Sequence, residues 1–209
     1  TVVLTVTDVN NNSSSCQTSL SVQDNLSPSV TCKTHSVNLS GSSASIVPSD
    51  VYFTGSDNCA TEVNLQSVSP NSFGCNNVGS NLVTLTVNDG KGNTATCSAT
   101  VNVNDTTPPD IFCQNISVDL IGSSVEISPS DVYNFGSANC NPITLASVSP
   151  NTFTCSNTGT NTVVLTANDG NGNVSTCLAT VQVSDNTPPT FTYCPENITV
   201  DADESCSAL

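Results

Sequence analysis

Residues 82–103 read "LVTLTVNDGKGNTATCSATVNV", and this stretch decides the fold. Val83, Leu85 and Val87 alternate with Thr84 and Thr86, the pattern of a half-buried strand. Beyond "NDGKGN" (88–93), Cys97, Ala99, Val101 and Val103 share one face of a second strand. Gly90 and Gly92 supply the positive φ that a hairpin turn requires. The stretch is therefore a β-hairpin with one apolar side.

The hairpin is one part of an internal repeat. Cys16, Cys97 and Cys177 are spaced by 81 and 80 residues, and Cys32, Cys113 and Cys194 by 81 and 81. Cys59 recurs as Cys140, and Cys75 as Cys155; "SVSPNSFGCNNVGSN" (67–81) returns as "SVSPNTFTCSNTGTN" (147–161). The expected organisation is the tail of one repeat (1–26), two complete repeats (27–107 and 108–188) and the head of another (189–209). At the start of a repeat the apolar phase switches. Ile111 and Cys113 share one parity, while Ile116, Val118 and Leu120 share the other, as in an edge strand passing between two sheets. About seven short strands in roughly eighty residues, separated by Pro, Gly and Asn turns, predict an all-β chain of tandem immunoglobulin-like sandwiches. The stretch "PSDVY" (48–52 and 129–133) is expected to form at most a short helical turn.

Composition narrows the function. Seventeen acids face two bases, Lys33 and Lys91, for a formal charge of −15, which disfavours nucleic acid and anionic membrane surfaces as partners. No apolar run reaches membrane-spanning length, so no membrane insertion is expected. Eleven regularly spaced cysteines with no C-x-x-C pair and a single histidine, His35, point to disulfides in an oxidising, extracellular setting rather than to zinc. Catalysis is not expected. His35 stands where the other repeats carry Ile116 and Ile198, there is no arginine, and the Ser and Thr residues have no base beside them.

In order along the chain stand "C-x-x-x-I-T-V" (Cys194, Ile198, Thr199, Val200), "SDNC" (56–59), "D-G-x-G-N-x-x-x-C" (89–97) and a closing "V-x-V-x-D-x-T-P-P". This series resembles hyalin-repeat domains, and the tandem array resembles those of very large surface proteins of Bacteroidota, gliding-motility adhesins among them. The departures are the missing glycine in "DVNNNSSSC" (8–16) and "SANC" (137–140) in place of "SDNC". The resemblance implies a filamentous, secreted cell-surface adhesin in which the repeats are spacers that meet neighbouring repeats of one long chain and hold a binding region away from the cell. Two alternatives stay open: repeats that themselves bind a glycan or protein, and accessory repeats of a secreted hydrolase.

Two-cysteine hyalin repeats keep the positions of Cys32 and Cys97, and of Cys113 and Cys177. Pairing these agrees with a sandwich whose first and last strands run parallel. The remaining cysteines would then pair as Cys59–Cys75 and Cys140–Cys155, although Cys32–Cys59 with Cys75–Cys97 is equally compatible with the sequence. Cys16, Cys194 and Cys206 are expected to lack partners within this stretch.

The linkers raise a separate possibility. In a down–up–down trace, the linker, the loop after the second strand and the hairpin before the last strand reach one end of each sandwich. Asp24, Asp50, Asp57 and Asp89 are expected to gather there in one repeat, and Asp105, Asp110, Asp131 and Asp169 in the next, where Ala138 replaces Asp57. Converging carboxylates repel unless a cation lies among them, and hard oxygen ligands of irregular geometry suit Ca²⁺ at an inter-repeat junction. The competing reading is that these are turn-forming, solubilising aspartates.

Overall fold

The alternation of buried and exposed side chains places the strands. The computed structural model describes residues 1–60, 62–194, 196–197 and 199–200. Ile198 and Cys206 lie outside the described residues. The chain divides into two units. The first holds Thr1–Pro109 with Ala138–Pro142 and Asp169–Asn173; the second holds Asp110–Ser137, Ile143–Asn168 and the remainder from Val174.

The first unit opens with a hairpin of β1 (Val2–Thr7) and β2 (Ser13–Thr18). The sandwich that follows is built from β3 (Ser29–Cys32), β4 (His35–Asn38), β5 (Ser43–Ser45), the helical turn α1 (Pro48–Val51), β6 (Tyr52–Ser56), β7 (Asn64–Ser69), β8 (Ser72–Gly74), β9 (Gly79–Asn88) and β10 (Thr94–Asn104). One sheet has the order β4-β10-β9-β7; the ladders β3–β6 and β5–β8 complete the other side. The break in apolar phase has its structural counterpart here. β3 pairs antiparallel with β6, and two residues later β4 pairs parallel with β10, His35 opposite Val101. His35 is thus a strand residue. Val83, Leu85, Val87, Val101 and Val103 from the β9–β10 hairpin fill the core with Val51, Val68 and Phe73. Burying each such side chain stabilises the fold by roughly 1.5–3 kcal/mol.

The second unit repeats the plan in β11 (Asp110–Cys113), β12 (Ile116–Asp119), β13 (Ser124–Glu126), α2 (Pro129–Val132), β14 (Tyr133–Ser137), β15 (Thr144–Ser149), β16 (Thr152–Thr154), β17 (Gly159–Asn168) and β18 (Val174–Ser184). Its sheet order is β12-β18-β17-β15, with β12 parallel to β18, and its core centres on Val163, Leu165, Val181, Val183 and Phe153. Both units are all-β immunoglobulin-like sandwiches. Their helices are four residues long, and among the described residues no helix is long and apolar enough to cross a membrane.

Disulfides join Cys32 to Cys97 and Cys113 to Cys177, tying first strand to last across each sandwich. The expected Cys59–Cys75 and Cys140–Cys155 pairs do not form: Cys75 is bonded to Cys140, and Cys59 and Cys155 are free. The reason is distance. Cys75 stands just before β9 begins, whereas Cys59 follows β6 at the end where β9 finishes. A ten-residue strand spans about 33 Å, and a disulfide needs Cα atoms within about 7 Å. Cys140 belongs to the first unit, where it reaches Cys75 at a Cα–Cα distance of 5.0 Å. Cys16 and Cys194 are exposed and free.

Candidate metal centre

The β9–β10 hairpin is organised by one carboxylate. Asp89 Oδ1 accepts the N–H groups of Lys91, Gly92 and Asn93 at 2.7, 3.0 and 3.0 Å, and Oδ2 accepts Asn93 Nδ2 at 2.6 Å. Gly90 and Gly92 hold φ of 74° and 116°, which allows the N–H groups to converge. The same loop recurs without its glycine in β1–β2. There Asp8 accepts Asn10 and Asn12 N–H groups, and Asn11 takes φ 66°. Asn is the residue that tolerates this conformation best after Gly, so the glycine-free "DVNNNS" still turns. Asp89 is buried, which would raise its pKa, but these hydrogen bonds outweigh burial and hold it below the ordinary carboxylate value.

Asn93 also donates Nδ2 to the Asp24 carbonyl at 3.1 Å, fastening the linker to the hairpin. Asp24 Oδ1 accepts the Leu26 N–H, and Asp57, in the loop after β6, accepts the Cys59 N–H through Oδ2. One carboxylate oxygen from each of Asp24, Asp57 and Asp89 lies within 4.8 Å of the others. Asp24 Oδ2 and Asp57 Oδ1 are buried with no hydrogen-bond partner. At an effective dielectric of about 20, unit charges this close repel by roughly 3–4 kcal/mol per pair. Three hard oxygens, two of them lacking a donor, fit a divalent cation. Desolvation pushes the adjacent Cys59 thiol upward in pKa, and the charges of Asp24 and Asp57 add to this.

Asp105 is the counterpart of Asp24 and meets different neighbours. Asn139 Nδ2 and the Thr107 N–H donate to its Oδ1 at 2.8 and 3.1 Å, and Asn171 Nδ2 donates to Oδ2 at 2.9 Å. Asn173 Nδ2 reaches the Asp105 carbonyl at 3.2 Å, as Asn93 does for Asp24. Asp169 accepts the Asn171 and Asn173 N–H groups, so its loop matches that of Asp89. With Ala138 in place of Asp57 and Asn171 in place of Lys91, amide donors fill the space that carboxylates share in the first cluster.

The other predicted ligands lie elsewhere. Asp50 Oδ2 accepts the Val47 N–H at 2.7 Å, and Asp131 Oδ2 accepts the Ser128 N–H and hydroxyl at 2.7 and 2.9 Å. Each caps the start of a helical turn, and "SPSD" (128–131) carries the spacing of a capping box, the signal that identifies this role from sequence. Asp110 is exposed on β11 opposite Ser137. Among the described residues, the acidic cluster therefore comprises Asp24, Asp57 and Asp89. One feature of the second unit has no signal in the repeat: Phe112 and Phe135 stack across β11 and β14 with centroids 4.5 Å apart. Their counterparts are Thr31 and Thr54, so an aromatic platform is not a shared property of the repeats.

No family model matches the chain, and no curated protein matches it. Among solved structures it is similar to Drosophila N-cadherin EC1-4 (12% identity, 78% of this chain and 50% of that one, TM-score 0.42). It is also similar to Sidekick-1 immunoglobulin domains 1-4 (9%, 86% and 57%, 0.41) and to human protocadherin-24 EC1-2 (14%, 78% and 100%, 0.40). The chain spans 57% of a matching protocadherin gammaB7 structure. With TM-scores below 0.5 these likenesses carry no argument about function.

Proposed function

We propose that these repeats are spacer modules of a long extracellular adhesin, stacked end to end as a rod that presents a distal binding region. The supporting observation is the way a linker is received: Asn93 holds the Asp24 carbonyl and Asn173 holds the Asp105 carbonyl, so one device recurs at a fixed interval. Prolines at 108–109 and 188–189 keep the linkers extended. Three disulfides suit an oxidising, extracellular location. The finer form of the proposal, a hyalin-repeat array of a Bacteroidota surface or gliding-motility adhesin, rests on the motif order alone.

Ca²⁺ is proposed for the Asp24–Asp57–Asp89 cluster. Bound there, it would neutralise three converging charges and hold linker, loop and hairpin together. Asp24, from the linker, and Asp57 and Asp89, from the loops, would be its carboxylate ligands. Electron microscopy of the full-length protein tests the reading. Extended filaments that are straighter in Ca²⁺ than in chelator are expected, and compact particles in both conditions would contradict it.

A further inference from the structure

Cys75 opens the 3-10 turn Cys75–Asn77 and is bonded to Cys140, in the loop after β14. Both lie in the first unit. The repeat gives each a counterpart: Cys155 stands 80 residues after Cys75, and Cys59 stands 81 residues before Cys140.

The counterparts sit in matching local structure. Asn77 Oδ1 accepts the Gly74 N–H at 2.9 Å, and Asn157 Oδ1 accepts the Thr154 N–H at 2.9 Å. Asn81 Nδ2 closes on the Asn77 carbonyl at 2.6 Å, as Asn161 does on Asn157 at 2.7 Å. The turn that presents Cys75 is thus rebuilt around Cys155, and Cys59 ends "SDNC" as Cys140 ends "SANC". Yet Cys59 and Cys155 are exposed free thiols. The pairing also has a direction: a turn cysteine joins the loop cysteine of the repeat that follows it. Within this chain that rule is met once, by Cys75 and Cys140.

We propose that Cys59 and Cys155 are half-bridges to neighbouring repeats of the same kind, Cys59 to the turn cysteine of a preceding repeat and Cys155 to the loop cysteine of a following one. Successive repeats are then stapled covalently as well as joined by the linker. This extends the spacer reading and requires no cation. Forming each bridge removes two hydrogens from two thiols. The two electrons and two protons pass to a low-molecular-weight disulfide, such as oxidised glutathione, which is released as two thiols.

The test is an extended chain in which residues 1–187 are followed directly by residues 27–209, refolded in a glutathione redox buffer, alkylated and mapped without reduction. The expected result is a peptide linking Cys155 of the first copy to Cys59 of the second, beside Cys75–Cys140 in each copy. Only the outer Cys59 and Cys155 are then alkylated, about half of each. Cys59→Ser in the second copy should leave Cys155 of the first copy fully alkylated. Recovery of Cys32–Cys97 and Cys113–Cys177 shows that the sandwiches have formed. With those bridges present, complete alkylation of Cys59 and Cys155, or Cys59 linked to Cys75 of its own repeat, overturns the proposal. Filament straightness reads the spacer function separately, so the two can fail independently.

Discussion

Asp24 and Asp105 hold the same place in successive linkers but have opposite surroundings. Asp24 shares its site with two carboxylates, whereas Asp105 is met by amides and a backbone N–H. Asp57→Asn should therefore act with opposite signs. In chelator it removes repulsion and should raise the urea midpoint. In saturating Ca²⁺ it removes a ligand and should lower it. A midpoint that moves the same way in both conditions would show that no ion uses Asp57. Burial alone would raise the pKa of Asp105, but the donors from Asn139, Thr107 and Asn171 outweigh it and hold the carboxyl below its ordinary 3.8. A lowered folded-state value means that the ionised form favours the native state. The contribution is complete above about pH 4–5 and is lost as pH falls through the folded-state value. Denaturation of the chain at pH 6 and pH 3 should show this loss, and Asp105→Asn should diminish it. Gly136 is constrained by space. A Cβ there would meet the Asp110 carbonyl at 2.6 Å and Ile143 Cδ1 at 2.8 Å, so Gly136→Ala should cost about 1–3 kcal/mol by urea denaturation.

At the scale of elements, strands and hairpins were legible because their causes are local. The period of two in 82–103 and the glycines between its halves settle which faces are buried, and the break in parity near Cys113 marks the passage between sheets. The capping role of Asp50 and Asp131 was also written locally, in the spacing from residue 47 or 128, but the proximity of those loops to the linker in a schematic trace obscured it. Cysteine pairing was only half legible. Cys32 and Cys97 follow from parallel first and last strands, whereas Cys75–Cys140 depends on which end of β9 each loop reaches. Bridges closing 65 and 64 residues should each stabilise by about 4 kcal/mol on the loop-closure model. The double substitution Cys32→Ala with Cys97→Ala should cost about that much. A much smaller loss would mean that the bridge only decorates an already stable sandwich.

For the whole molecule, the disulfides determine how a pull on the chain is carried. Tension entering before Cys32 crosses to Cys97 and later from Cys113 to Cys177, so the 65- and 64-residue intervals between them are shielded. At about 3.5 Å per residue each interval hides roughly 220 Å of contour, which single-molecule extension should release only after reduction. Full extension without reductant would contradict a load-bearing role. The repeat itself was fully visible in sequence. The convergence of Asp24, Asp57 and Asp89 was visible in part, because a trace of loops can bring residues to one end without deciding which side chains face one another.

The cation at that convergence is the central claim, and calorimetric titration of Ca²⁺ into the 209-residue chain tests it most directly. One ion is expected to bind at the Asp24 cluster, with affinity falling at least about tenfold in Asp57→Ala, a loss of roughly 1.4 kcal/mol or more. Asp50→Ala and Asp131→Ala should leave the affinity unchanged. An absence of uptake, or uptake that Asp57→Ala does not alter, would leave the three carboxylates as turn residues and contradict the account.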